Sequence, residues 1–404
     1  MTITYADVVD ARERFEDASI VQHTPVEYSR SLSGMTGADV HLKMEHLQRT
    51  GSFKTRGAYN KLSQLAASGT ADRVIAASAG NHAQGVALAA HETGLESTIV
   101  MPETAPQTKI DATRGYGAEV ILHGTDFPAA MTHAHSLAEP GTAFIHAFDD
   151  PDIVAGQGTL GLEIAEDLPD VDTVVVPIGG GGLIGGVSVA LAELLPDTRV
   201  VGVQAADAAT VHESLRKGIP TSLDSMRTIA DGIATGSVSE LTLGLIDEYV
   251  DEVITVTDGQ IATGVLISLE RAKQLVEGAA AATVAAILSD DLDVAGETVM
   301  PVLTGGNLSM TQLQAMVTHA LTAREQLIQL RVRIVDRPGE LHEISGLIAE
   351  TGANVRTVRH DRSIGDLDVS EAYLVFHVET SGSGHTDRII ELIGEQGYDV
   401  ERAR

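Results

Sequence analysis

Short apolar, β-rich runs alternate with helical patterns over the first three quarters of the chain. Val74 to Ala77 is followed by a helical stretch from about Asn81 to Thr93, and Thr173 to Val176 by one beginning after Gly182; Ser97 to Met101, Glu119 to Leu122 and Arg199 to Val203 are further runs of the strand type. This alternation predicts a parallel α/β architecture. We expect residues 1–325 to form one large α/β domain, a small lobe of about residues 51–150 inserted in a large lobe built mainly from 155–315, with a cleft between them. The most apolar stretch, Ala279 to Leu288, is Ala-rich and shorter than the about 18 residues a membrane span needs, so it reads as a buried helix.

The pattern changes after Asn307. Residues 310–326 read as a linking helix, and LRVRIVD then alternates with period two. A turn at Arg337-Pro338-Gly339 leads to a helix at about 340–350, strands at about 354–358 and 372–378, a loop SGSGHT, a helix near 387–394 and a short strand at 398–401. That order is βαββαβ, a ferredoxin-like arrangement, and predicts a separate domain over residues 326–404.

Composition narrows the classes. The chain has 404 residues, no Cys, and 27 Lys+Arg against 57 Asp+Glu, for a formal charge of -30. Without Cys there is neither a disulfide scaffold nor a thiol nucleophile. A phosphate-tracking surface needs clustered cations, so no nucleic-acid partner is expected; no membrane segment or secretory signal is visible, and a cytoplasmic protein is expected. Only six lysines are present, Lys43, Lys54, Lys61, Lys109, Lys217 and Lys273, and the acids are spread along the whole chain. We read this as halophilic, because high salt screens self-repulsion among dense carboxylates. Each surviving lysine is then a candidate for a specific task.

Three loops concentrate the candidate chemistry. Gly179, Gly180, Gly181 and Gly182 follow the apolar run TVVVP and precede a helix, where amides can converge on a phosphate and a Cβ would block its approach. The alternative is a tight turn. Gly180, Gly182 and Gly185 also satisfy a dinucleotide spacing, but Gln204 stands where an acidic ribose ligand is expected. Ser78-Ala79-Gly80-Asn81-His82 opens a helix after a strand and offers amides, a hydroxyl and an Asn to a second anion such as a carboxylate; a capped helix start fits the same residues, and His82 alone reads as a packed histidine. Thr304-Gly305-Gly306-Asn307 repeats the design after VMPVL. Lys54, in Gly51-Ser52-Phe53-Lys54-Thr55-Arg56-Gly57, stands at a helix start among small residues, where a lysine can act as a nucleophile rather than a solvated charge.

The segments KMEHLQRTGSFKTRGAYNKL, ASAGNHAQGVALA, AGQGTLGLEI, VVPIGGGGLIGG, TIADG, EGAAA and LTGGN, in that order, resemble the fold-type II pyridoxal-phosphate enzymes, tryptophan synthase β-like in fold, and specifically the threonine ammonia-lyases (threonine dehydratases) with a C-terminal ACT domain. The resemblance implies that Lys54 carries pyridoxal 5'-phosphate, that Phe53 packs on its ring, that Asn81 meets the ring hydroxyl, that Gly179 to Gly182 hold the phosphate, and that Thr304 faces the pyridine nitrogen. Ser78, Ala79, Gly80, Asn81 and His82 would receive the carboxylate of an amino-acid substrate. Glu277, in EGAAA, is either a carboxylate near Lys54 or a helix N-terminal charge.

The implied reaction is deamination of L-threonine to 2-oxobutanoate and ammonia, with L-serine as a secondary substrate, feeding isoleucine biosynthesis. A serine or 3-hydroxyaspartate dehydratase is the alternative within that chemistry, and a catalytically dead amino-acid sensor the alternative outside it. Related serine racemases have a serine where this chain has Ala79, and a metal-binding acidic cluster where it has Gln204 to Thr210, so neither racemisation nor a bound metal is expected. The ACT resemblance implies an isoleucine or valine effector near Asp336, Pro338, Gly339 and Leu341 together with Asn354, and a homo-oligomer, dimer or tetramer.

Overall fold

The computed structural model describes residues 2–15, 19–362 and 367–403. It divides into two compact units, Met1–Gln312 and Leu313–Arg404, the division falling within the helix Met310–Ala323.

Two parallel sheets organise the first unit. In the larger, the strand order from edge to edge is Val26–Tyr28, Asp39–Lys43, Thr298–Pro301, Thr173–Pro177, Arg199–Ala205 and Glu252–Val256. Only the Val26–Tyr28 edge runs antiparallel. The smaller sheet has the order Glu119–Leu122, Glu96–Met101, Arg73–Ala77 and Thr142–Phe144, all parallel. Thr173–Pro177 is buried at every position, which explains why its sequence is a continuous apolar run rather than an alternation. The two N-terminal strands of the large sheet carry no such run, and their short, mixed sequences give little pattern to read.

Glycine sets how closely the helices of this unit cross. A methyl group at Gly158, in the helix Pro151–Asp167, would lie 2.7 Å from the carbonyl oxygen of Gly186, in the helix Gly182–Leu194; one at Gly186 would lie 2.3 Å from that of Val154. Backbone therefore touches backbone. Beside this crossing, fully buried Arg56 bonds Glu45 at 2.8 Å and Glu163 at 2.7 Å, while buried Lys43 reaches Glu163 at 2.9 Å and Asp167 at 2.8 Å. Buried charges persist only when paired. This network ties the strand Asp39–Lys43, the helix that starts at Lys54 and the helix Pro151–Asp167 to one another. The Ala-rich helix Gly278–Ile287 is buried along its whole length, and no helix among the described residues is long and apolar enough to cross a membrane.

The second unit has its own core. Its antiparallel sheet has the order Asn354–Asp361, Glu371–Glu379, Leu327–Val335 and Asp399–Ala403. Leu327–Val335 alternates in burial, and Leu330, Val332, Phe376 and Leu374 pack with Ile344, Ile348, Ile389 and Ile393 from its two helices, Glu340–Glu350 and Ser383–Glu395. The order is βαββαβ. Its second helix starts four residues before the expected position: the glycine at 382, with φ 126, turns the chain directly into it, so most of the segment expected as a loop is helix.

The residues expected to meet an effector form two separate groups within this unit. Asn354 is paired with Glu379, whereas Val335, next to Asp336, is level with Glu371, eight positions away along the same strand. At about 3.3 Å per residue the two groups lie at opposite ends of the sheet. One domain does not bring Asn354 to Asp336, Pro338, Gly339 and Leu341, because the helix Glu340–Glu350 carries the chain the length of the sheet between them. Asp336 is held instead by Arg362 at 2.5 Å and His360 at 3.3 Å, and Asn354 by Glu379 at 3.1 Å.

Candidate active site

Lys54 is the first residue of the helix Lys54–Ser68. The TGGN segment fixes its approach: Phe53 N–H donates to the Thr304 carbonyl at 3.2 Å, Gly306 N–H to Gly51 at 2.9 Å, and Ser52 bridges Gly305. Gly51, at φ 71, makes the turn that permits this pairing. On the other side a methyl at Gly85 would stand 3.1 Å from the Lys54 carbonyl, so glycine lets the helix Asn81–Thr93 lie against the Lys54 backbone. The Lys54 ammonium donates to the Ala147 carbonyl at 3.1 Å and sits 5.0 Å from the Phe53 ring centroid. Burial pushes its pKa down to about 8, against the opposing field of Glu277. An amine in that range is partly unprotonated near neutrality and can serve as a nucleophile or a base. The buried Ser52 hydroxyl beside it has no hydrogen-bond partner among the described residues.

Ser78 ends the strand Arg73–Ala77, and the helix Asn81–Thr93 begins three residues later. Its N-cap is Gly80, with no side-chain cap; the Ser78 hydroxyl instead accepts from Gly80 N–H at 3.1 Å. The first-turn amides therefore lack the side-chain acceptor that a simple capped start would provide. Asn81 is held at both ends, its Nδ2 donating to Glu277 at 2.7 Å and its Oδ1 accepting from Asn307 at 2.8 Å. Asn307 Nδ2 also reaches the Thr50 carbonyl at 2.6 Å. Glu277 is the N-cap of the helix Gly278–Ile287 and also acts electrostatically on Lys54, so both sequence readings of it hold. Burial raises its carboxyl to about 7, despite the Asn81 hydrogen bond. His82 is buried and its Nε2 donates to the Ile145 carbonyl at 3.0 Å; burial and the Lys54 charge push it down to about 3, so it is a neutral, packed ring whose backbone amide faces the turn.

The four glycines follow the strand Thr173–Pro177. Gly181, at φ 86, is the N-cap of the helix Gly182–Leu194, again without a side-chain cap. Other segments press on this loop. A methyl at Gly180 would lie 2.2 Å from the Phe148 ring and one at Gly179 2.9 Å from Thr235 Oγ1, while Thr242 Oγ1 donates to the Gly180 carbonyl at 2.8 Å. Glycine is thus required for packing as well as for an open set of amides. Thr304 is buried at the start of the third loop. All three loops follow the carboxyl ends of parallel strands, where such sheets bind ligands.

The pyridoxal-phosphate dependent enzyme family matches residues 18–305, and the ACT domain family matches residues 328–403. The chain belongs to the pyridoxal-phosphate dependent enzymes. Among its relatives in that family, an L-threonine ammonia-lyase of Thermotoga maritima is 44% identical over 399 residues, 98% of this chain and 99% of the relative. A catabolic L-threonine dehydratase of Escherichia coli is 39% identical over 316 residues, 78% of this chain and 95% of the relative. Of solved structures, the processed form of threonine deaminase isoform 2 from Solanum lycopersicum is 35% identical with a TM-score of 0.74, over 79% of this chain and 95% of that one. Maize serine racemase is 32% identical with the same TM-score of 0.74, over 80% of this chain and 99% of that one.

The donor set fits pyridoxal phosphate: a buried amine of lowered pKa for the aldehyde, an uncapped glycine turn at a helix N-terminus for the phosphate, and an immobilised Asn with a spare N–H for the ring hydroxyl. The 78–82 turn, Glu277 and the TGGN loop are joined by direct bonds, the TGGN loop accepts from Phe53 beside Lys54, and Phe148, next to the Ala147 that accepts from Lys54, packs on the glycine turn. The sequence reading passed over the segment His146-Ala147-Phe148. His146 Nδ1 accepts from Asp149 N–H at 2.8 Å and Phe148 N–H at 3.3 Å, which curls the segment over Lys54 and the glycine loop. It has no glycine and no periodicity to mark it; its place six residues before AGQGT is the one available signal. Gln204 Oε1 accepts from Thr210 and Val211 N–H at 3.0 and 2.9 Å, so this amide organises the segment 204–211.

Proposed function

We propose that this protein deaminates L-threonine to 2-oxobutanoate and ammonia, with L-serine as a slower substrate. Pyridoxal phosphate, when bound, supplies the electron sink that makes the substrate α-proton acidic. Lys54 takes that proton: it is fixed between Ala147 and Phe53, and a pKa of about 8 leaves part of it as free base at neutral pH. Amides of the 78–82 turn and the start of the helix Asn81–Thr93 bind the substrate carboxylate. Gly179 to Gly182 would hold the phosphate, and Asn81, pinned by Glu277 and Asn307, has a second Nδ2 hydrogen that would meet the ring hydroxyl. Thr304 would offer the pyridine nitrogen a hydroxyl rather than a carboxylate, and a hydroxyl does not stabilise a protonated ring, which would favour elimination over transamination. Ala79 has no group that can carry a proton to the opposite face of Cα, which speaks against racemisation.

The observation that carries this reading is Lys54, lowered in pKa and set beside two uncapped helix N-termini, in a chain resembling threonine ammonia-lyases over nearly its whole length. Within it we place the protein in the cytoplasm as a homo-oligomer, supplying isoleucine biosynthesis and regulated by isoleucine or valine through residues 326–404. The test is the visible spectrum of the purified protein in high salt beside a Lys54→Ala variant, with 2-oxobutanoate and ammonia assayed after addition of L-threonine, L-serine or 3-hydroxyaspartate. Cofactor absorbance that depends on Lys54, with turnover greatest on threonine, supports the proposal. Greater turnover on serine or 3-hydroxyaspartate moves the assignment to the corresponding dehydratase, and a protein inert with added cofactor leaves amino-acid sensing as the function.

A further inference from the structure

Five of the six lysines have protein partners. Lys43 and Lys61 each bridge two carboxylates, Lys217 pairs with Glu213, Lys273 donates to the Glu270 carbonyl, and Lys54 to Ala147. Lys109 alone has no carboxylate within ion-pair distance and no side-chain hydrogen bond among the described residues. In a chain carrying a net charge of -30, that is an unusual position for a cation. It is also an unfavourable one, because Lys109 lies in the first turn of the helix Gln107–Gly115, where the helix dipole disfavours positive charge.

Lys109 is half-buried and lines a cavity of about 60 Å³ together with Gly80, Asn81, Asp231 and Glu277. The two carboxylates across this cavity are already engaged: Asp231 accepts from Gln312 at 2.7 Å, and Glu277 accepts from Asn81 at 2.7 Å. Asn81 and Gly80 belong to the turn assigned above to the substrate carboxylate. The cavity thus sets an ammonium without a direct partner beside the start of a helix that has no side-chain cap, where Gly80 N–H is taken by Ser78 and the amide of Asn81 follows it.

We propose that Lys109 is a further substrate-binding residue, whose ammonium completes the carboxylate subsite begun by the 78–82 turn. The inference rests on the reading of that turn as an amino-acid site. It assigns Lys109 to the carboxylate, the group common to threonine and serine, and not to the β-carbon that distinguishes them. Binding an amino acid supplies the missing counter-ion, while Asn81 and Glu277 keep their own bonds.

Two measurements on the holoprotein test it. In the first, Lys109 of the wild-type protein is acetylated with acetic anhydride and its labelling followed by peptide mass spectrometry, with L-threonine, with L-threonine amide, or with neither. L-threonine is expected to slow labelling of Lys109 severalfold while Lys217 reacts unchanged, and the amide, which lacks the carboxylate, to leave Lys109 reactive. In the second, Lys109→Gln is expected to raise KM for L-threonine about 10-fold, the worth of one charge-assisted hydrogen bond, with kcat within about twofold. Lys109→Arg is expected to recover most of that loss, and the inhibition constant of L-threonine amide to be the same in all three proteins. Equal labelling with and without threonine, or a Lys109→Gln effect of the same size on acid and amide, overturns the subsite and leaves Lys109 as a counter-charge to Glu277. If the wild-type protein forms no 2-oxo acid yet L-threonine still shields Lys109, the reaction assignment fails and the subsite stands.

Discussion

Replacing Glu277 by Gln tests the electrostatics of the site without removing its hydrogen bond, since a glutamine oxygen can still accept from Asn81 Nδ2. The folded-state carboxyl is raised to about 7 from 4.5 by burial, the largest cause, with Asp231 adding to it and Asn81, Lys109 and the Asn307 backbone opposing. A raised pKa means that the protonated form is favoured on folding: this contribution is fully present below pH 4.5 and is lost as pH rises through 7. The shift corresponds to about 3 kcal/mol, and because the side chain still touches a cavity that water can enter, about 2 kcal/mol is the magnitude to expect. The assay is urea denaturation of the cofactor-free protein and its Glu277→Gln variant between pH 4 and 8, in fixed high salt. Their stability difference should move by about 2 kcal/mol in favour of Gln across that range, mostly between pH 4.5 and 7. Only the change with pH is diagnostic, since a packing defect in the variant would be the same at every pH. A difference that stays flat would refute the argument that Glu277 is an ionisable group strained by burial. The same substitution should lower the Lys54 pKa below about 8, because Glu277 raises it, and so extend fast reaction of the apoprotein with pyridoxal phosphate to lower pH.

Other substitutions probe the scaffold. Arg56→Met should cost about 3 kcal/mol in urea denaturation, because it strands Glu45 as a buried unpaired charge and leaves Glu163 to Lys43. Gly158→Ala should cost about 3 kcal/mol, its methyl meeting the Gly186 carbonyl at 2.7 Å; a loss under about 0.5 kcal/mol would mean that the helices can separate without penalty. Lys54→Ala should leave the urea midpoint unchanged or raised, since a buried ammonium is removed, while abolishing 2-oxo acid formation. Raising KCl from 0.1 to 2 M should raise the thermal midpoint at a net charge of -30; a midpoint that falls would remove the halophilic reading.

Much of this architecture is legible before any coordinates, for a physical reason. Buried parallel strands must be apolar throughout, and glycine must appear where amides or helices approach closely, so Thr173–Pro177, Gly179 to Gly182 and the start of the helix at Asn81 stand out from the sequence. The alternation in Leu327–Val335 marks a one-faced sheet equally well. What escaped is what depends on three-dimensional register. Nothing local says that Asn354 and Asp336 lie at opposite ends of one sheet, since that follows from pairing Glu371–Glu379 with both neighbours. Nor does the sequence reveal that Phe148 would press on Gly180, or that Asn81 would be held by residues some 200 positions downstream. Lys109 was visible only as one of six scarce lysines, and its isolation became apparent once the partners of the other five were known.

The buried pairing of Arg56 with Glu163 also sets a clock. The two residues are 107 positions apart in the chain, so at about 5–20 residues per second a ribosome needs roughly 5–20 s to deliver the second after the first. Throughout that interval the guanidinium has Glu45 at hand but not Glu163, and the helix that presents Lys54 lacks its anchor to Pro151–Asp167. The burial that holds the Lys54 pKa near 8 therefore cannot be complete until the segment carrying Ala147 and Glu163 has been made.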